Sequence, residues 1–190
     1  WKTKKRRIKN MSKRINRSPT KFLPHIERYS FACHFCHKKD ILDLGGKDGY
    51  GAVIMSLFAK HITIADNRGD YLEIGKLNNT FLCGTEMIEM DLEKSFPDRM
   101  YDTAVAFEII EHVKDPEIFI ENIAKHLKIG GVLVFSVPHM MPHIDHLTLF
   151  DEEKIKTMIS KYLTIKEFYI QDSYGISRKP MHRYPAITYV

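Results

Sequence analysis

Glu108, Glu111 and His112 stand at i, i+3 and i+4 in the run FEIIEH, a spacing that gathers two carboxylates and an imidazole on one face of a helical turn. Such a group can hold a divalent ion or exchange a proton with a hydroxyl. His139, His143 and His146 follow downstream, so four of the ten histidines crowd one stretch. A second chemistry-bearing stretch lies upstream, in ILDLGGKDGYG (41 to 51), where a short apolar run ends in Asp43 and breaks into a turn. Gly45, Gly46 and Gly49 let the backbone turn tightly and approach a ligand with no Cβ in the way, and a nucleotide-like cofactor is the natural occupant. The turn is not the dinucleotide fingerprint G-x-G-x-x-G, because Lys47 and Tyr50 stand where its second and third glycines would be. It is not a phosphate-binding P-loop either, because Asp48 follows Lys47 where that motif needs Ser or Thr.

These residues need a scaffold, and the apolar patterning supplies one. Ile41, Leu42 and Leu44 read as a buried parallel strand. HITIAD alternates as a second strand and ends in Asp66, about 20 residues beyond Gly45, where a ribose-binding carboxylate belongs in a βαβ unit. MIEMDL ends a third strand at Asp91 and Leu92, and YDTAVAFEIIEHV and LKIGGVLVFSVPH carry the fourth and fifth. Strands are expected near 41–44, 61–66, 86–91, 102–108, 131–137, 164–171 and 186–190. Helices are expected near 22–37, 50–59, 70–78, 116–127 and 151–161. Gly130 and Gly131 are expected to end one helix and start the fifth strand. A loop joins the last two strands, which are expected to pair antiparallel. The β-α-β alternation implies a parallel sheet covered on both faces, with ligands at the carboxyl ends of its strands.

In this order the signatures resemble the class I S-adenosylmethionine-dependent methyltransferases over roughly residues 22 to 190. The turn resembles their motif I, an acid, an apolar residue and then G-x-G-x-G, with Asp43 as the acid, Gly45 and Gly49 as outer glycines and Lys47 in the place of the middle one. HIERYSFACHF and the GYG after the turn are similar to a branch acting on small molecules or glycans. The resemblance implies an α/β, Rossmann-like, doubly wound seven-stranded sheet, mostly parallel with an antiparallel last strand. It implies S-adenosylmethionine as cofactor, held by Asp43, Gly45, Gly46, Gly49, Asp66, Asn67, Asp91, Leu92 and Phe107. The Asp66 carboxylate would accept from both ribose hydroxyls, and Asp91 with the next backbone amide would meet the adenine. Lys47 would either crowd the methionine end of that cofactor or pair with its carboxylate. A small-molecule or sugar acceptor would be methylated at oxygen, with His112, His146 and Glu111 as catalytic residues and no metal. Two alternatives stand beside this reading. Glu108, Glu111 and His112, with His146, also resemble the E-x-x-E-H metal site of small-RNA 2′-O-methyltransferases and of some ubiquinone-pathway O-methyltransferases. A binding protein that keeps the fold without catalysis is the third reading.

The 190 residues suit one domain, and a 44% hydrophobic composition is globular. No stretch approaches the ~20 consecutive apolar residues of a membrane span, and no apolar core follows the first charges as in a signal peptide. The chain opens on Trp1 rather than Met. Residues 1–21 hold ten of the 29 Lys and Arg and no acid, which leaves 19 bases against 24 acids from residue 22 onward. The overall charge of +5 therefore hides a basic, flexible arm ahead of an acidic body. Such runs are usually solvated, so nucleic-acid binding by the arm is not the favoured reading. Cys33, Cys36 and Cys83 do not form a secreted disulfide framework and point to a reducing, cytoplasmic setting. The C-x-x-C of Cys33 and Cys36, beside His34 and His37, invites zinc. Ile26, Tyr29, Cys33 and Cys36, however, fall on one apolar helix face, and no second C-x-x-C completes a four-ligand site.

Overall fold

The computed structural model describes residues 19–79, 84–172, 175–177 and 187–189. In chain order the elements are α1 (Pro19–Ala32), β1 (Asp40–Leu44), α2 (Tyr50–Met55), β2 (His61–Asp66), α3 (Gly69–Asn79), β3 (Thr85–Glu89) and β4 (Tyr101–Phe107). They continue with α4 (Pro116–His126), β5 (Leu127–Val137), α5 (Glu152–Ile159), β6 (Ile170–Asp172), β7 (Gly175–Ser177) and β8 (Ile187–Tyr189). All five residues of β1 are buried, as expected for a strand covered on both faces. The main sheet runs β3-β2-β1-β4-β5-β8, with β1 to β5 parallel and β8 antiparallel to β5.

Side-chain alternation divides the strands between two cores. Leu42, Leu44, Ala104 and Ala106 face Phe119, Ile120 and Ile123 of α4 and Ile155 and Ile159 of α5. Ile41, Ile62, Ile64 and Val105 face Tyr29 and Ala32 of α1, with Ala52 and Met55 of α2. Capping fixes where two of these helices start. Asp115 accepts from the Ile118 N–H at 3.0 Å ahead of Pro116, and Asp151 accepts from the Lys154 N–H at 2.7 Å. After β1 the chain builds outward through β2 and β3, then returns across β1 to lay down β4 and β5. The carboxyl ends of β1 and β4 thus form the point where strand order reverses, the usual ligand crevice of such sheets.

Four expectations are corrected. The segment expected as a strand over 164–171 does not join the sheet; β6 pairs with β7 as a separate antiparallel ribbon, so six strands rather than seven form the sheet among the described residues. Gly130, at φ +78°, does not end a helix. It lies inside β5, which begins at Leu127, where the register against β4 shifts between Tyr101 and Thr103. The helix expected over 22–37 ends at Ala32 and gives way to a 3-10 turn at Cys33–Phe35. The helix expected over 50–59 ends at Met55. Residues 1–18 of the basic arm, and Cys83, lie outside the described residues.

Candidate active site

The glycine turn between β1 and α2 is shaped by packing as well as by any ligand. Gly45 is left-handed (φ +72°), and a Cβ there would lie 2.7 Å from Ile109 Cδ1. A Cβ on Gly46 would lie 2.6 Å from Ile64 Cγ2 and 2.7 Å from Asp43 Oδ2. Gly49, also left-handed, precedes the first turn of α2, and its N–H donates to the Gly46 carbonyl at 2.9 Å. Asp43 sits beneath this turn with no exposed surface, accepting from the Tyr29 hydroxyl at 3.2 and 3.3 Å. Burial, opposed by that hydrogen bond and reinforced by Asp66, pushes its carboxyl up to about 7.

Above the turn opens a cavity of about 550 Å³ at the strand-order reversal. Gly45, Lys47, Asp66, Asn67, Asp91 and Leu92 line it together with Glu108, Ile109 and His112. Asp66 closes the end of β2, and its two oxygens accept from the Lys47 N–H and the Arg68 N–H, each at 3.0 Å. Burial raises its pKa while those two N–H groups pull it back. Asp91 lies just past β3 and is held by Lys94 Nζ at 2.7 Å and the Glu93 N–H at 3.1 Å, which lower its pKa. Of the residues assigned to the cofactor from the sequence, Gly45, Asp66, Asn67, Asp91 and Leu92 line the cavity. Asp43, Gly46, Gly49 and Phe107 do not line it; Asp43 and Phe107 are buried, Phe107 in the core against Tyr29.

At the end of β4 the backbone turns through Glu108 (φ +52°) into a 3-10 turn at Ile110–His112. Glu108 accepts from Ser136 Oγ at 2.7 Å and faces Arg28 Nη1 at 3.6 Å. Glu111 is buried, 1% exposed, and neither carboxylate oxygen has a hydrogen-bond partner. Burial and the neighbouring Glu108 push its carboxyl up to about 8. Its backbone carbonyl accepts from the N–H groups of Leu147 and Thr148 at 2.8 and 3.2 Å, which pins the segment after β5 over the turn. His112 Nδ1 lies 2.7 Å from the Asp145 carbonyl, and His146 Nδ1 lies 2.8 Å from the Met141 carbonyl. A carbonyl only accepts, so each Nδ1 carries the hydrogen and each Nε2 is left as the basic nitrogen. The two rings meet edge to face at 4.9 Å, and His112 Nε2 is 3.7 Å from Glu111 Oε1. One ligand atom each from Glu111, His112 and His146 falls within a 4.8 Å cluster, to which Glu108 does not belong. His143 stands beside His146 at 5.1 Å and half-buried His139 has no partner at Nδ1.

The sequence reading missed two residues that hold this site together. Arg28 is buried on α1, where its Nε donates to Gln171 at 2.6 Å while its Nη1 faces Glu108. Tyr29 supplies the hydroxyl on Asp43. The only signal available was an arginine bordering the apolar face of Ile26 and Tyr29, which does not distinguish a buried cation from a solvated one. The cysteines act as packing groups. Cys33 Sγ donates to the Tyr29 carbonyl and Cys36 Sγ to the Ala32 carbonyl, and burial pushes the Cys36 thiol up to about 12.

A parallel sheet with a glycine turn after β1, an acid closing β2 and a cavity at the reversal point defines the class I S-adenosylmethionine-dependent methyltransferase fold. Residues 5–165 match the methyltransferase domain family model, and the chain belongs to that family. It is 29% identical over 105 residues to a probable S-adenosylmethionine-dependent methyltransferase of Mycobacterium tuberculosis, covering 55% of this chain and 37% of that protein. Over 103 residues it is 29% identical to a ubiquinone biosynthesis O-methyltransferase of Rickettsia akari, covering 52% of this chain and 40% of that one. The chain thus spans less than half the length of these two relatives. In fold it is similar to the N-methyltransferase NodS of Bradyrhizobium japonicum, whose crystal structure is a complex with S-adenosyl-L-homocysteine. The TM-score is 0.73 at 16% identity, over 92% of this chain and 88% of that one.

Proposed function

We propose that this domain binds S-adenosylmethionine in the cavity above the glycine turn and transfers its methyl group to an oxygen of a small-molecule or sugar acceptor. The observation that carries the reading is a single cavity lined both by Asp66, at the end of β2, and by His112, after β4. The O-methyltransferase name of the Rickettsia relative supports transfer to oxygen. Asp66, already oriented by two backbone N–H groups, keeps lone pairs for a ribose, and Asn67, Asp91 and Leu92 continue the same wall toward the adenine end.

The cofactor supplies an electrophilic methyl on a sulfonium that leaves as a neutral thioether, so most of the work left to the chain is alignment. Ile109 and Val113 give the cavity an apolar wall, and the segment after β5 closes over the 3-10 turn through its bonds to the Glu111 carbonyl. As the acceptor oxygen bonds to carbon, its proton passes to Nε2 of His112 or His146, and the Nδ1–H bonds to Asp145 and Met141 hold each ring in the tautomer this requires. Above about pH 8, where its raised carboxyl is ionised, Glu111, 3.7 Å from His112 Nε2, steadies the resulting imidazolium. Cys33 and Cys36 are free thiols, in keeping with the reducing, cytoplasmic setting that belongs to this proposal.

One observation favours a second reading. Glu111 offers two buried oxygens without partners beside two imidazoles whose Nδ1 atoms are fixed by carbonyls, the donor set and outer support of a divalent-ion site. Glu111, His112 and His146 fit such an ion, which would lower the pKa of an acceptor hydroxyl, and the arm would then suit an RNA acceptor. Label transfer from methyl-labelled S-adenosylmethionine to panels of phenols, sugars and small RNAs, with and without chelator, separates the readings. Transfer to phenol or sugar hydroxyls that survives chelation supports the first. Transfer confined to RNA and abolished by chelation promotes the second.

A further inference from the structure

Lys47 occupies the middle of the glycine turn, a position whose backbone is left-handed at φ +52°, a region that favours glycine. A lysine held in such a conformation has been placed there by its surroundings. Here its N–H is fixed on Asp66 Oδ2 at 3.0 Å, while its side chain lines the cavity. The other Lys and Arg side chains of the cavity wall are already committed: Arg68 pairs with Asp70 at 2.8 Å, and Lys114 pairs with Glu93 at 3.4 Å. Arg28 is not among the residues lining the cavity; its Nε is held by Gln171, and its buried Nη1, 3.6 Å from Glu108, has no hydrogen-bond partner. Among the described residues, Lys47 is the cavity cation with no carboxylate within ion-pair distance. Its charge only partly opposes the burial that raises the pKa of both Asp66 and Glu111.

We infer that Lys47 is the receptor for the carboxylate on the amino-acid end of the cofactor, taking over with a charged side chain a stretch of turn where a glycine would offer only backbone. The inference rests on the cofactor reading above and deepens it. In that cofactor the sulfur carries both the ribose and the amino-acid chain, so a ligand with its ribose on Asp66 must house its amino-acid portion in the same cavity, whose lining includes Lys47. The surrounding acids sharpen the selection. Glu108 and Asp145 also line the cavity, so without Lys47 an incoming carboxylate would meet mainly negative charge. Glu108 in turn suits the α-ammonium of the same ligand.

Two ligands that differ by one group test this on the 190-residue chain. Calorimetric titration with S-adenosyl-L-homocysteine, and with its decarboxylated counterpart that keeps the amine, measures what the carboxylate contributes. The unmodified protein should prefer the carboxylate-bearing ligand by roughly 10- to 100-fold, as a charge-assisted hydrogen bond in a partly dry site allows. That preference should shrink as ionic strength rises. Lys47→Met should abolish the preference by weakening only the first ligand and leaving the second within about 2-fold, and Lys47→Arg should keep most of it. Lys47→Gly relieves the left-handed backbone and should lose the preference as Lys47→Met does, which shows that any loss comes from charge rather than from a disturbed turn. Equal weakening of both ligands, or no change in either, overturns the inference. If the unmodified protein binds both equally, the cofactor reading stands and the role of Lys47 falls. If it binds neither, both fall.

Discussion

Replacing Asp66 with alanine removes a side chain that serves two parts of the structure, so its effect divides into a stability term and a binding term. For the fold, the variant loses two charge-assisted hydrogen bonds from the Lys47 and Arg68 N–H groups, each 3.0 Å long. Charged hydrogen bonds contribute ~1.5–3 kcal/mol apiece. Against that, the native carboxylate is held in a buried place that raises its pKa, so its removal recovers part of the desolvation cost. The net loss of stability should be about 1–3 kcal/mol. For binding, the variant also loses the acceptor of the ribose hydroxyls and the anchor that holds Lys47 in its left-handed turn. A loss of ~2–4 kcal/mol follows, or roughly 30- to 700-fold in Kd for S-adenosyl-L-homocysteine. Asp66→Asn keeps one carbonyl oxygen but turns an amide N–H toward one of the two backbone donors, so it should fall between native and alanine on both scales. Urea denaturation measures the first quantity and calorimetric titration the second. Native affinity in Asp66→Ala, with the predicted destabilisation present, would refute the claim that this carboxylate holds the cofactor.

Gly46→Ala should cost roughly 1–3 kcal/mol by overpacking, because its Cβ would meet Ile64 Cγ2 at 2.6 Å with buried strand on either side, and denaturation midpoints check it. The Asp43 carboxyl, raised from 3.8 to about 7, binds a proton in the native state that the unfolded chain has already released between those pH values. Its favourable contribution is therefore complete below about pH 4 and is lost as pH rises to 7, so Asp43→Asn should flatten the decline in stability between pH 4 and 7 by up to ~1.4 kcal/mol per pH unit. Parallel native and variant curves would show that Asp43 does not titrate there. Deletion of residues 1–18, ahead of α1, should leave cofactor affinity within about 2-fold, since the cavity residues all lie from Gly45 onward. A larger loss would place the arm in the site.

The parts of this architecture that rest on local pattern were readable before the structure. Buried apolar runs marked β1, β2 and β4, the acids at Asp66 and Asp91 marked two strand ends, and Gly45 and Gly49 marked the turn that both now occupy with positive φ. What escaped depends on residues far apart in sequence. The carboxylate near Arg28 lies after β4 and the one bonded by Tyr29 lies on β1, and the segment after β5 that bonds the Glu111 backbone is more than 30 residues away in sequence. Gly130 looked like a helix stop because a left-handed glycine serves equally at a C-cap and at an irregularity within a strand, and only the pairing of β5 with β4 separates the two. The expected strand over 164–171 failed for a related reason. Alternating residues state that a segment can pair, while the partner is chosen by the rest of the fold, here the short β7.

A crystal structure of this chain grown with S-adenosyl-L-homocysteine tests the central claim most directly. The account predicts density filling the cavity above the glycine turn, with the ribose hydroxyls at about 2.5–3.0 Å from the Asp66 oxygens, the adenine against Asp91 and Leu92, and the sulfur facing His112. A ligand bound elsewhere, or a cavity left to solvent at saturating ligand with Asp66 still tied to the Lys47 and Arg68 N–H groups, would contradict it.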